Sequence, residues 1–128
     1  MDGKREREVE NEIFEYLALC RQAGIPLRCW KNSTGGMYDP RRKCIRKNLS
    51  KYHLNGVPDI IGWVIVDGVC QFLGIEVKTN IGRLNPNQVK FHAMAKEDGA
   101  PCFVARCPQD VQDAFSRLFS ITLPPATG

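Results

Sequence analysis

Long apolar runs are missing from this 128-residue chain. No window approaches the roughly 20 apolar residues that a membrane-spanning helix needs, and the stretch Met1-Asp2-Gly3-Lys4-Arg5-Glu6 has no apolar core of the kind a secretory signal carries. The expectation is a cytoplasmic protein with no membrane partner. Paired cysteine spacings are missing as well. Cys20, Cys29, Cys44, Cys70, Cys102 and Cys107 are scattered, which argues against a disulfide framework and for reduced, mostly buried thiols. With His53 and His92 as the only imidazoles, a zinc site would have to gather its ligands from far apart. Internal repeats are absent, and so is low-complexity sequence outside a short tail at 120–128. Acidic residues are absent from Arg41 to Lys51, where Arg41, Arg42, Lys43, Arg46, Lys47 and Lys51 make six bases in eleven positions, far denser than the net charge of +4 implies.

What is present points to one compact domain over residues 1–128. Hydrophobic residues at 43% and charged residues at 25% are globular proportions, and this length supplies one core but hardly two. Val9, Ile13, Tyr16, Leu17 and Cys20 recur at helical spacing, predicting a helix from about Lys4 to Ala23 that Gly24 and Pro26 stop. Leu27 to Lys31 reads as a strand. A turn-rich stretch from Asn32 to Asp39 leads into a basic loop, 40–55. Two apolar runs, Ile60–Val66 and Val69–Val77, flank Asp67-Gly68, the strongest short-range signal for a hairpin. A second helix is expected from Pro86 to Gly99, a strand at Cys102–Arg106, and a last helix from about Gln109 to Phe119, after which Leu123-Pro124-Pro125-Ala126 is expected to fray. The order α-β-β-β-α-β-α defines an α/β fold with a mixed sheet flanked by helices.

The hairpin carries the chemistry. If Val66 pairs with Val69, counting outward in twos sets Asp59 directly opposite Glu76, and like charges so placed repel. A hard divalent cation between them resolves that conflict, because magnesium is typically held by one or two carboxylates together with substrate phosphates. Alternation along the strand brings Lys78 out on the same face as Glu76, where its ammonium can orient a water, act on its proton or neutralise charge on a phosphate. Pro58, with its fixed φ and no N–H, suits the entry to an edge strand. An ordinary surface hairpin with solvated charges is the competing reading.

These residues resemble the signature of the PD-(D/E)xK nucleases, with Pro58-Asp59, Glu76-Val77-Lys78 and Gln88 in order. A wider set, Glu6-Arg7-Glu8-Val9, Trp30-Lys31-Asn32-Ser33-Thr34-Gly35-Gly36, Gly56-Val57-Pro58-Asp59-Ile60-Ile61-Gly62, Gly82-Arg83-Leu84-Asn85-Pro86-Asn87-Gln88 and Phe103-Val104-Ala105-Arg106, is similar to the stand-alone VRR-NUC domains of phages and prophages. The resemblance spans residues 6 to 119. It implies a restriction-endonuclease-like core, and a phosphodiesterase using Mg2+ or Mn2+ held by Asp59, Glu76 and the Val77 carbonyl, with Lys78 acting on the attacking water. It also implies a glutamate from the first helix, Glu6 by alignment with Glu10 second, against the alternative of solvated charges pairing with Arg5 and Arg7. Branched DNA, notably the four-way (Holliday) junction, would be the substrate and a homodimer the active form, in the host cytoplasm if the chain is phage-encoded.

Further DNA contacts are expected from the basic run through counterion release, and from Asn32, Ser33, Thr34 and Arg83 on phosphate oxygens, while Gln88 on the inner face of the second helix can hydrogen-bond the scissile region as part of the catalytic set. Tyr38, Tyr52 and His53 beside the run offer stacking surfaces. The same residues read equally as solvated loop, turn-closing and surface side chains, and Gln88 as a helix cap. A DNA-binding module that does not cut, a flap or repair-type nuclease acting as a monomer, and a protein-binding phage factor are the competing functions.

Overall fold

The computed structural model describes residues 4–32, 37–39, 41, 44–46 and 52–126. Its elements follow the chain as α1 (Glu6–Gln22), β1 (Leu27–Lys31), β2 (Met37–Asp39), β3 (Cys44–Arg46), β4 (Ile60–Val66), β5 (Val69–Val77), α2 (Pro86–Asp98), β6 (Cys102–Ala105) and α3 (Pro108–Phe119). Four strands form one mixed sheet in the order β1-β4-β5-β6, antiparallel except for the parallel β5–β6 pair. The expected element order is corrected by β2 and β3, which form a separate antiparallel ribbon inside what the sequence presents as a loop. Each has only three residues, too short a run for alternation to register against the surrounding charge.

The β4–β5 hairpin turns at Asp67 and Gly68, both at positive φ (50° and 77°), which matches the right-handed strand twist. Val66 pairs with Val69 and the register runs to Ile60 opposite Ile75. Alternation then sorts the side chains. Ile60, Val64, Leu73, Ile75 and Val77 point to one face, where Val9, Ile13, Leu17, Val111, Phe115 and Phe119 of α1 and α3 close the core. The opposite face carries Asp59, Ile61, Trp63, Phe72 and Glu76, and α2 covers it only over β5 and β6, as the Gln88–Glu76 and His92–Cys102 contacts show. Among the described residues no helix is long and apolar enough to cross a membrane.

Two expectations fail at the periphery. The C-terminal stretch does not fray: Leu123 is 2% exposed within the core, the Tyr16 hydroxyl donates to the Pro124 carbonyl, and the Ala126 N–H donates to Gln112 Oε1 at 2.9 Å. Leu123, with Ile121 and Ala126 packed against the same core, docks the segment after the αL cap at Ser120 without regular structure. The thiols are not mostly buried either. Of the five described cysteines only Cys20 is fully buried, and Cys70 sits exposed near the hairpin turn because alternation turns it away from the core.

Candidate active site

Each residue of Gly56-Val57-Pro58-Asp59 that the site uses has a separate contact. Gly56 has φ +81°, and a Cβ there would lie 2.2 Å from the Asn87 carbonyl oxygen, so only glycine lets this loop rest on the first turn of α2. Pro58 is buried over Gly74, where a Cβ would stand 3.1 Å from the proline Cγ. Asp59 then continues the hairpin with its side chain: Oδ2 accepts the Val77 N–H at 2.9 Å. The backbone carbonyl of Asp59 accepts the N–H of Asn32 at 2.7 Å, tying β1 to the same point.

Glu76 is 1% exposed at the end of β5. Its Oε1 accepts from Gln88 Nε2 at 2.9 Å, whereas its Oε2 is buried with no hydrogen-bond donor among the described residues. The adjoining Asp59 carboxylate, when ionised, is an acceptor and has no proton to give. Burial first, then hydrogen bonding and charge repulsion from Asp59, push the Glu76 carboxyl up to about 9, with Lys78 opposing the rise. Glu6, at the first turn of α1, is also raised, chiefly by burial; Lys78 works against that shift and Asp59 and Glu10 add to it. Four groups from three segments therefore share one field: Glu6, Asp59, Glu76 and Lys78.

Two of the other helix carboxylates are engaged in ion pairs, and a third is exposed, as Glu6 is. Glu10 is buried in a 3.0 Å ion pair with Lys31, Glu12 pairs with Lys4 at 2.7 Å, and Glu8 faces solvent. Gln88 has a double role. With Asn85 it forms a reciprocal capping box at 2.9 Å in both directions, and this engages its carbonyl end so that the NH2 end is presented to Glu76.

The expected DNA contacts are placed unevenly. Asn32 faces inward, its Nδ2 donating to the Pro58 carbonyl at 3.3 Å, so in this structure it supports the Asp59 loop. Arg83 and Arg41 are exposed. Thr34, Arg42, Lys43, Lys47 and Lys51 lie outside the described residues, as does Ser33, and of Arg46 only the backbone is described. One residue escaped sequence reasoning as a site component. Arg106 Nη1 donates to the carbonyls of Thr79 and Gly82, the latter at 2.7 Å, clamping the loop that leaves Lys78. The parallel register Val77↔Ala105 makes Arg106 the cross-strand neighbour of Lys78. That pairing joins segments nearly thirty residues apart and has no local signal.

For a divalent cation the residues fit in a limited and specific way. Among the described residues no group of three His, Cys, Asp or Glu side chains converges to form a ready cage. What converges is two carboxylates, one with an orphaned buried oxygen, and one carbonyl. The N–H and C=O of a strand residue leave on the same edge, so the Val77 carbonyl follows its N–H toward Asp59. An acceptor set of that size suits a hard cation that keeps most of its water and takes further oxygens from a phosphate. Comparison with protein-family models, curated proteins and solved structures finds no match for this chain.

Proposed function

We propose that the chain is a metal-dependent endonuclease of the PD-(D/E)xK type, a VRR-NUC-like domain that hydrolyses phosphodiester bonds in branched DNA. The observation that carries this reading is the apposition of Asp59 with the buried Glu76, beside Lys78. Two facing carboxyl groups, one of them buried, cost stability when both are ionised and call for a functional explanation. Asp59, Glu76 and the Val77 carbonyl are the groups that would hold Mg2+ or Mn2+. Such an ion, when bound, lowers the pKa of its water and offsets charge on the phosphate being displaced.

The chain's own residues supply the rest. Lys78 presents its ammonium where it orients the attacking water and balances the negative charge gathering on phosphorus. Gln88 keeps the Glu76 carboxylate from rotating, the Val77 N–H does the same for Asp59, and Glu6 extends the acidic rim. Hydrolysis adds the water oxygen to phosphorus and releases the 3′ oxygen, which takes up a proton, leaving 5′-phosphate and 3′-hydroxyl ends. Four-way junctions and a homodimer follow from the family resemblance, since a two-fold assembly delivers two symmetric nicks.

The test is incubation of the protein with labelled linear, flap and four-way junction DNA in magnesium, manganese or chelator. The expected result is ion-dependent, paired nicking of the junction, abolished in Asp59→Asn and Glu76→Gln proteins that remain folded by circular dichroism. Full cleavage by either variant would overturn the assignment. A monomer that cuts only flaps would remove the junction-resolving half of it.

A further inference from the structure

The sequence contains only two tryptophans, and the fold puts them together. Trp30 on β1 and Trp63 on β4 meet edge-to-face, with ring centroids 5.5 Å apart and planes at 77°. Burial is the usual fate of an indole, yet these are 46% and 38% exposed. Register explains where they face. Trp30 pairs with Ile61 and Arg28 with Trp63, so Arg28, Trp30, Ile61 and Trp63 all emerge on the face that carries Asp59 and Glu76. Phe72, opposite Trp63, adds a third ring at 36% exposure. Strand rise sets Trp63 about 13 Å along β4 from Asp59, with Trp30 one strand across and closer to the carboxylates.

Cations accompany the rings. Arg28, exposed, and Arg21 at the last turn of α1 line, with Trp63, Ile65 and Pro26, a depression of about 410 Å³ at the far end of this row. Among the described residues neither arginine forms an ion pair, and the only two ion pairs found involve Lys4 and Lys31. Flat π faces leading away from a carboxylate pair, and ending at guanidinium groups, match a strand of alternating bases and phosphates. A rigid duplex has its bases stacked inside and offers these rings nothing to stack on.

We propose that Trp30 and Trp63, with Arg28, form a stacking platform for unpaired nucleobases of a nucleic-acid strand whose backbone reaches the Asp59–Glu76 site. This inference rests on the nucleolytic reading and narrows it: the bases beside the scissile phosphate are unpaired when the strand is held, as in a flap or at a branch point whose pairs the protein has opened. Base–aromatic stacking tolerates any sequence, so the platform selects for strand state.

Because the indoles are confined to this face, intrinsic fluorescence reports on it directly. Oligothymidylate and a fully paired duplex of equal length are titrated into the full chain in chelator, with tryptophan emission and affinity read together. Oligothymidylate is expected to quench emission, and the duplex is not. Trp30→Leu and Trp63→Leu, which keep apolar bulk but lose the π face, are expected to weaken oligothymidylate binding by about tenfold each, and Trp30→Phe to retain most of it. Affinity for duplex is expected to stay within twofold, which also verifies that the variants are folded. Unchanged oligothymidylate affinity in both leucine variants overturns the proposal. So does a drop from dimer to monomer mass in those variants without loss of oligothymidylate affinity, which makes the face a self-association surface. Wild-type protein that stacks oligothymidylate but cleaves no DNA in magnesium overturns the nucleolytic reading alone.

Discussion

Gln88 and Glu76 are joined by a 2.9 Å hydrogen bond in which the glutamine amide donates, while its carbonyl accepts the N–H of Asn85 at the same distance. One side chain thus starts a helix and restrains a carboxylate on the neighbouring strand. Replacing it with Met, similar in length, removes half of the capping box and leaves Glu76 without its only donor among the described residues. Stability is expected to fall by about 1–2 kcal/mol in denaturant unfolding, in line with a lost cap and a lost buried hydrogen bond. DNA cleavage is expected to fall about tenfold, as a loosened reacting group implies. A variant with wild-type stability and rate would show that the amide only decorates the helix start.

The Glu76 carboxyl, pushed up to about 9 in the fold from an ordinary value near 4.5, links stability to pH. The folded state then holds a proton that the unfolded chain has released. The stabilising contribution is complete below the unfolded value and is lost as pH rises toward the folded one. In metal-free buffer the wild-type melting temperature is therefore expected to drop between pH 5 and pH 9 relative to Glu76→Gln, which cannot ionise. A gap between the two proteins that stays constant over this interval, measured by calorimetry, would contradict the assignment of the buried charge.

Lys78 differs from the carboxylates because a protonated ammonium has no lone pair for a cation. Lys78→Ala is expected to bind magnesium at least as well as wild type and to bind DNA normally. Single-turnover cleavage is expected to fall by roughly a hundredfold or more, the scale for removing a positioned proton-transfer or charge-stabilising group. Measuring ion affinity, DNA affinity and rate on one variant separates binding from chemistry. Cleavage within a few-fold of wild type would make Lys78 a surface lysine.

The basic run is tested by salt. Changing Arg41, Arg42 and Lys43 to Ala is expected to weaken binding to all DNA sequences alike and to flatten the salt dependence by about one unit per lost phosphate contact. An unchanged slope would make the run a solvated surface.

Cleavage should also respond to the Arg106 clamp on the loop after Lys78. Arg106→Met keeps the aliphatic stem but removes the Nη1 donor that serves both carbonyls. The expected outcome is a lower maximal rate with little change in DNA affinity, read in a single-turnover titration. Loss of affinity alone would place Arg106 at the DNA surface.

Local sequence determined the parts of this protein whose signal is itself local. Asp67-Gly68 between two β-branched runs specified the hairpin and, by counting from Val66 and Val69, the meeting of Asp59 with Glu76. Helical spacing of Val9, Ile13 and Leu17 marked α1, and Pro86 marked the start of α2. Tertiary structure alone decided what depends on distant segments. The parallel β5–β6 pair set Arg106 beside Lys78, the fold paired Glu10 with Lys31, and the β1–β4 register brought two exposed tryptophans into contact. Periodicity states which residues share a face of their own element. It carries no information on which other element that face meets, because that choice is made by packing the whole chain into one core.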